Sequence, residues 1–205
     1  MKKLLSFLAL CLLALSSFVL RTASPGYQVG DKAADFKLKN VDGKLVSLAD
    51  NKAAKGYIVV FTCNTCPYAK AYEQRIMDLH TKYAPQGYPV VAINPNDPAV
   101  APGDAFAEMQ KRAKEKKYAF PYLQDESQEI ARQYGATRTP HLYVLSRKGA
   151  EFVVSYIGAI DDNSEDAKLV KTKYLENAMT DIMAGKPATV NSTKAIGCTI
   201  KWKKA

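Results

Sequence analysis

The order of apolar and polar residues along the chain predicts its strands. Residues 57–63 (YIVVFTC) form a continuous apolar run rich in β-branched and aromatic side chains, which is typical of a parallel strand buried on both faces. Residues 88–96 (YPVVAINPN) predict the next strand. The segment DFKLKNVDGKLVSLAD alternates around Asp42-Gly43, a turn dipeptide, and predicts a β-hairpin. HLYVLS and EFVVSYIG flank a short RKG turn and predict a second, antiparallel hairpin.

Apolar residues that recur every three to four positions predict helices between these strands. The first predicted helix runs from Cys66 to Tyr83, and the second begins near Asp104, which would cap it. The third lies in ESQEIARQYGA and is stopped by Gly135, and the fourth runs from Asp166 to Ala184. The resulting order is β-hairpin, βαβ, α, ββ, α. It predicts an α/β fold, a three-layer α/β/α sandwich with a mixed central sheet and an N-terminal β-hairpin.

The first 24 residues predict a targeting segment that does not belong to this domain. Lys2 and Lys3 precede an apolar run from Leu4 to Leu20, as in a secretory signal peptide. An uncleaved membrane anchor is the alternative, because 17 residues are at the short end for a membrane span. We expect a signal peptide over 1–24 without a defined cleavage point, a domain over 25–186 and a C-terminal tail over 187–205.

Composition and charge exclude few classes of protein and lead to one expectation about the protein's partners. The chain is 47% hydrophobic and 24% charged, an ordinary globular balance. The net charge of +9 falls to +6 without the three basic residues of the leader. The remaining basic residues are scattered, and no stripe of arginines alternates with aromatic residues. We therefore expect no nucleic-acid partner.

Cys63 and Cys66 form a C-x-x-C motif between a predicted strand and a predicted helix. The N-terminus of a helix carries unpaired amides and a partial positive charge, and both stabilise a thiolate, the reactive form of cysteine. We expect Cys63 to face solvent and Cys66 to lie in the first helical turn, close enough to attack a mixed disulfide on Cys63. Asn64 and Thr65 are expected to cap that turn.

Two other uses of these cysteines are open. A metal site normally needs four ligands; Cys198, His80 and His141 could complete one, but their spacing is not paired. An inert disulfide within the motif would close a tiny loop and constrain little. Redox exchange is favoured, so we expect neither a metal nor a cofactor.

Thr139-Pro140 stands directly before the apolar strand HLYVL. Proline is awkward in a central strand because it lacks an amide donor. A cis bond at the strand entry, beside the active site, would explain its position; an ordinary loop proline is the plainer alternative.

These features together resemble the thioredoxin superfamily over roughly residues 27–184. The strand–CxxC–helix unit and a Thr-Pro before a hairpin, 74 residues after Cys66, carry the resemblance. It implies that Pro140 is cis and lies against the CxxC motif. It also implies that Thr139 and Pro140 bind substrate, the backbone of Thr139 receiving a substrate strand.

Within that superfamily, the segments FTCNTCPYAKAYE, FPYLQDESQEIARQYGA, TRTP, YIGAIDDN and AIGCTIKWK are similar to redoxin-domain, peroxiredoxin-like (AhpC/TSA-related) proteins of bacteria. Peroxiredoxins carry Thr-x-x-Cys, in which the threonine helps to bind peroxide. When Cys66 is aligned with their reactive cysteine, Cys63 occupies the threonine position, and Thr62 is one residue away. This departure favours disulfide exchange over peroxide reduction.

The carboxylate that accepts the second thiol's proton in thioredoxins is not found at its usual place. Six residues before Cys63 stands Tyr57. Glu73, Asp161 and Asp162 are the candidates. His141 is either a polar neighbour of the site or a packed strand residue.

After the leader, the chain has three cysteines, Cys63, Cys66 and Cys198, which is an odd number. Our hypothesis is that Cys198 resolves or stores a disulfide with Cys63 or Cys66, or crosslinks chains. The alternative is a small apolar packing residue, because free cysteines are commonly buried.

The sequence thus predicts an extracytoplasmic thiol–disulfide oxidoreductase, periplasmic or anchored facing the periplasm. Cys63 would attack a protein or small-molecule disulfide, Cys66 would resolve the mixed disulfide, and a thiol reductant would recycle the pair. Contact with the membrane is expected only through an uncleaved N-terminal segment. The alternatives are a thiol peroxidase that passes through a sulfenic acid and a non-catalytic thioredoxin-like binding module.

Overall fold

The buried apolar runs of the sequence form the centre of a mixed β-sheet. The computed structural model describes residues 26–204, so the predicted signal peptide lies outside the described residues. Within this range the strands are β1 (Lys32–Ala33), β2 (Lys37–Asn40), β3 (Leu45–Ser47), β4 (Gly56–Phe61), β5 (Val90–Asn94), β6 (Tyr122–Gln124), β7 (Arg138–Thr139), β8 (His141–Lys148), β9 (Glu151–Gly158) and β10 (Cys198–Thr199). The α-helices are α1 (Pro67–Tyr83), α2 (Phe106–Lys116), α3 (Glu129–Tyr134) and α4 (Tyr174–Met183).

The main sheet has the strand order β1-β9-β8-β4-β5-β6-β2-β3. β4 pairs in parallel with β5, and β5 with β6, whereas β8 is antiparallel to β4 and β9. β2 and β3 form the expected N-terminal hairpin, with Leu38 opposite Val46. The mixed sheet and both predicted hairpins are therefore confirmed.

Alternate residues of β4 supply two separate cores. Ile58 and Val60 belong to the core on one face of the sheet, together with α1, α2 and α4. Val59 and Phe61 belong to the core on the other face, together with α3 and the N-terminal segment. All four side chains are fully buried, which explains why this strand is apolar at every position. The three-layer sandwich is confirmed.

Several element boundaries differ from the sequence prediction, and three of them are at β4, α2 and α4. β4 ends at Phe61 instead of residue 63, although the amide of Thr62 still donates to the carbonyl of Ile93 at 2.8 Å. α2 begins at Phe106, because Asp104 belongs to a preceding 3-10 turn and does not cap the helix. α4 begins at Tyr174; Asp166 caps only a 3-10 turn over 167–169.

The C-terminal segment packs against the body of the fold. Ile200 is buried in the core that contains Phe61, and Trp202 lies against Arg132 with the guanidinium carbon 4.4 Å from the ring centre. The carbonyl of Lys201 accepts hydrogen bonds from the amide of Asp97 and the side chain of Gln128. The residues around Cys198 are thus held in a defined position.

A search of residues 26–204 for a membrane-crossing helix finds none of sufficient length and apolar character.

Candidate active site

The fold brings the three cysteines of the described chain together. Cys63 lies in the loop after β4, Cys66 is the N-cap of α1, and Cys198 begins β10. The Sγ atoms of Cys66 and Cys198 are 2.6 Å apart. The prediction that Cys63 faces solvent is wrong: Cys63 is 4% exposed and Cys66 is 3% exposed, and Cys198 is the most accessible of the three. Cys63 and Cys66 pack against Ala69 and the partly buried Cys198.

Thr139 and Pro140 lie directly against this cluster, and the peptide bond between them is cis, as predicted. The Oγ1 of Thr139 is 3.2 Å from Sγ of Cys63, and its carbonyl oxygen is 3.1 Å from Sγ of Cys66. β10 pairs antiparallel with β7, with Cys198 opposite Thr139. The backbone edge that the resemblance assigns to a substrate strand therefore carries the protein's own C-terminal strand.

Gly197 permits this close approach. A Cβ at position 197 would lie 2.1 Å from the carbonyl oxygen of Thr139, so a side chain there would push β10 away from β7. The carbonyl of Gly197 also accepts a hydrogen bond from the guanidinium of Arg138 at 2.9 Å.

The surroundings of Cys66 favour its thiolate. Its pKa is lowered to about 4, chiefly by the hydrogen bond from the Cys63 thiol, and further by the Cys198 thiol and the amide of Ala69, against the opposing effect of burial. The carbonyl of Thr139 is a partner only for a protonated Cys66, and the several donors around the sulfur outweigh it. The position at a helix N-terminus acts in the same direction.

The other two thiols are held in the protonated form. Donation to Cys66, burial and the negative charge of Asp104 raise the pKa of Cys63. Burial and the neighbouring Cys66 raise the pKa of Cys198 to about 11. These directions favour Cys66 as the thiolate, whereas the sequence analysis has Cys63 attack the substrate; the order in which the two cysteines act stays a prediction.

Asp104 is the site residue that sequence analysis missed. Its buried carboxylate accepts hydrogen bonds from the amide of Asn64 at 2.6 Å and the hydroxyl of Thr65 at 2.7 Å. The side-chain amides of Asn94 and Asn96 donate to it at 3.2 and 2.9 Å. Asn64 and Thr65 thus tie the loop to Asp104 and do not cap α1. No spacing in the sequence connects residue 104 to the cysteines.

Of the carboxylates predicted as proton acceptors, only Glu73 lies near the cysteines. Glu73 and Cys63 line the same small cavity of about 10 Å³, which has room for about one water molecule. The carboxylate is held by Arg112 at 2.8 Å, Lys116 at 3.2 Å and the hydroxyl of Tyr118. These partners lower its pKa despite burial, so Glu73 is ionised at neutral pH.

The other two predicted carboxylates are engaged elsewhere. Asp161 accepts hydrogen bonds from Arg75 at 2.6 Å and from the hydroxyl of Tyr72 at 2.9 Å. Asp162 accepts from two backbone amides in the segment before α4, each at 3.0 Å. The partners of these two carboxylates lie on α1 and in the segment before α4, and none of them is a cysteine.

His141 is a packed strand residue next to Pro140. It is 8% exposed, and burial lowers its pKa to about 4. Its ring centre lies 4.9 Å from that of Tyr143, and its Nδ1 has no hydrogen-bond partner among the described residues. His141 is therefore neutral at physiological pH. Across residues 26–204, no three His, Cys, Asp or Glu side chains are arranged to hold a metal ion.

We predict that Asp104→Asn destabilises the protein by about 1–3 kcal/mol, the range for leaving buried donors without an acceptor. One carboxylate oxygen becomes an NH₂ group that faces other donors. Removing the charge also lowers the pKa of Cys63, since Asp104 is one of the groups that raise it. Urea unfolding and the pH profile of thiol alkylation measure the two effects.

Asp78→Asn is the matched control, because Asp78 is exposed and its recorded partner is Gln74 on the same helix. Equal stability and equal alkylation profiles for both variants would contradict the importance of Asp104.

Comparison with known proteins identifies the family of this chain. The AhpC/TSA family matches residues 29–161. The thiol-disulfide oxidoreductase ResA of Bacillus cereus is 25% identical over 155 residues, which is 72% of this chain and 85% of ResA. The crystal structure of an uncharacterized conserved protein from Geobacillus kaustophilus is 35% identical, with a TM-score of 0.80 over 87% of this chain and 94% of that one.

A more distant structure shows the fold alone. The exposed lipoprotein thioredoxin Etrx1 of Streptococcus pneumoniae is 19% identical, with a TM-score of 0.54 over 74% of this chain and 99% of that one. The thioredoxin-like fold and the resemblance stated from the sequence are both confirmed. This chain belongs to the AhpC/TSA family.

Proposed function

We propose that this protein is a thiol–disulfide oxidoreductase that exchanges disulfides through Cys63 and Cys66. The observation that carries the proposal is the position of Cys66 at the start of α1, with the Cys63 thiol donating to it and lowering its pKa. Such a thiolate attacks disulfides at neutral pH. The name of the relative ResA, a thiol-disulfide oxidoreductase, supports the same chemistry.

The arrangement leads to a defined order of steps. The Cys66 thiolate attacks a substrate disulfide, so that a bond forms to one substrate sulfur and the other substrate sulfur leaves as a thiolate. That thiolate takes the proton of Cys63. Cys63 then attacks Sγ of Cys66, the Cys63–Cys66 disulfide forms, and the second substrate thiolate leaves. The substrate gains two electrons, and a thiol reductant returns the pair to the dithiol.

Thr139 and Pro140 are the proposed substrate-side residues. The Thr139 hydroxyl and carbonyl face the two sulfurs at 3.2 and 3.1 Å, so they can orient the attacking and resolving thiols. Because Thr139 is fully buried and Cys66 is only 3% exposed, even a small-molecule disulfide reaches these groups only through a local opening of the loop or of β10. A protein strand that pairs with Thr139 must replace β10 first, because Cys198 already pairs with that residue.

We predict that the Cys63→Ser/Cys198→Ser double variant traps a mixed disulfide on Cys66, because no thiol remains to resolve it. Cys66→Ser is the matched control and traps little.

In the wild type, iodoacetamide labels Cys66 well below pH 8, because its pKa is lowered to about 4 and ordinary thiols are protonated there. Mass mapping of the adducts measures both results.

An equilibrium redox titration tests the pair itself. The wild type should show a two-electron couple that either Cys66→Ser or the Cys63→Ser/Cys198→Ser double variant abolishes. A titration in which neither variant alters the couple would support a binding module and sink the exchange proposal.

A thiol peroxidase is the second candidate, and the same thiolate favours it. Cys66 aligns with the reactive cysteine of the peroxiredoxin pattern and carries the lowered pKa. A peroxide would oxidise Cys66 to a sulfenic acid and leave as the alcohol or water. Condensation of that acid with the Cys63 thiol releases water and gives the disulfide.

We predict that peroxide reduction is at least about 100-fold slower than disulfide reduction. The physical reason is that Cys63 replaces the threonine hydroxyl of the peroxide-binding pattern. Hydrogen peroxide consumption with a thiol donor is the measurement. The variant Cys63→Thr restores the Thr-x-x-Cys pattern and should raise the single-turnover rate at which peroxide oxidises Cys66, although it lacks the thiol that resolves the sulfenic acid. Wild-type peroxide turnover faster than its disulfide reduction would reverse the choice between the two candidates.

The proposed location is the periplasm, or the membrane surface facing it. The basic start and apolar run of residues 1–24 support export. We predict that cell fractionation finds a shortened protein in the periplasmic fraction and that replacing Lys2, Lys3 and part of the apolar run retains it in the cytoplasm. A full-length wild-type chain in the cytoplasm would contradict this proposal.

A further inference from the structure

We propose that Cys198 relays the disulfide from the buried Cys63–Cys66 pair to the protein surface, where a small thiol reductant reaches it. The relay is a second disulfide, between Cys66 and Cys198. This inference rests on the proposed function, because the first disulfide must form between Cys63 and Cys66.

The first observation is the position of the three sulfurs. Sγ of Cys198 lies 2.6 Å from Sγ of Cys66, so a bond of about 2.05 Å needs only a small movement of the two side chains. Cys63 and Cys66 are 4% and 3% exposed, whereas Cys198 is only partly buried. An external thiol therefore meets Cys198 more readily than either sulfur of the buried pair.

The second observation is that Cys198 is held in place from both sides. β10 pairs with β7, and the amide of Ile200 donates to the carbonyl of Thr137 at 3.2 Å. The amide of Lys201 donates to the side chain of Asn96 at 2.9 Å. Before β10, Ser192 bridges to Ile157. Cys198 is thus presented to Cys66 by anchored backbone, and the relay needs no rearrangement of the C-terminal segment.

The exchange balances without any further oxidant. The Cys198 thiol loses its proton and attacks Sγ of Cys66, the Cys66–Cys198 bond forms and the Cys63–Cys66 bond breaks. Cys63 leaves as a thiolate and takes up the proton, so that the number of disulfides is unchanged.

Recycling then begins at the surface. A reductant thiolate attacks Sγ of Cys198, and Cys66 leaves as its stabilised thiolate; thiols of lower pKa leave faster. A second reductant thiol attacks the mixed disulfide on Cys198. The reductant ends as a disulfide, two electrons have entered the protein, and all three cysteines are reduced.

The test follows the rate at which the oxidised protein is reduced by glutathione, with mass mapping of its disulfides. We expect Cys198→Ser to slow this step at least tenfold relative to Thr199→Ser, an exposed neighbour on the same strand. We also expect oxidised Cys63→Ser to contain a Cys66–Cys198 disulfide, and thermal unfolding to show that both variants are folded.

Gly197→Ala is a second variant that keeps all three thiols. Its added Cβ would meet the carbonyl of Thr139 and move Cys198 away from Cys66, so glutathione recycling should slow as in Cys198→Ser. Equal rates for wild type and Cys198→Ser, with no Cys66–Cys198 disulfide in Cys63→Ser, would overturn the relay and leave the proposed function intact. A Cys198→Ser variant that forms no Cys63–Cys66 disulfide on oxidation contradicts the proposed function and the relay together.

Discussion

The structure of the site depends on the sulfur of Cys66, where four parts of the chain meet. The start of α1 supplies the N-terminal position, the loop after β4 supplies the Cys63 thiol, β7 supplies the Thr139 carbonyl and β10 supplies Cys198. Each group that donates to this sulfur lowers the free energy of its anion. Two of these donors, Cys63 and Cys198, are thiols. The arrangement that stabilises the charge on Cys66 therefore also places two thiols where they can form a disulfide with it.

The loop that carries this sulfur is held by a buried polar network. Asp104 receives hydrogen bonds from the two residues between the cysteines and from two asparagines, Asn94 at the end of β5 and Asn96 just beyond it. A buried carboxylate is tolerated when its oxygens are satisfied in this way. The network joins the end of β4, the end of β5 and the turn before α2. It keeps the loop turned into the protein, which accounts for the low exposure of both cysteines.

The C-terminal segment changes the chemistry that the C-x-x-C motif alone would suggest. In a domain without this segment, the edge of β7 would be free to pair with another strand. Here β10 occupies that edge and brings a third thiol to Cys66. Gly197 makes the contact possible because it has no side chain to meet Thr139. The same strand thus covers the site and offers it an accessible sulfur.

Much of the fold could be predicted from local pattern. The unbroken apolar run of β4 reflects burial on both faces, and the alternation around Asp42-Gly43 reflects burial on one face. The helical spacing from Tyr72 to Tyr83 reflects one buried stripe. The cis bond before Pro140 followed from the resemblance and is present. The predicted starts of α2 and α4 were wrong. The Asp104 carboxylate binds the loop between the cysteines, and Asp166 caps a 3-10 turn, so neither residue caps the α-helix that follows.

The sequence by itself determined the α/β architecture, the family and the residues that can carry redox chemistry, because these depend on periodicity and on motifs of adjacent residues. Only the tertiary structure decided which cysteine bears the charge, that Asp104 holds the loop and that Cys198 lies against Cys66. The contacts of Asp104 with the loop and of Cys198 with Cys66 join residues 39 to 132 positions apart along the chain, and no local pattern encodes the energy of such contacts.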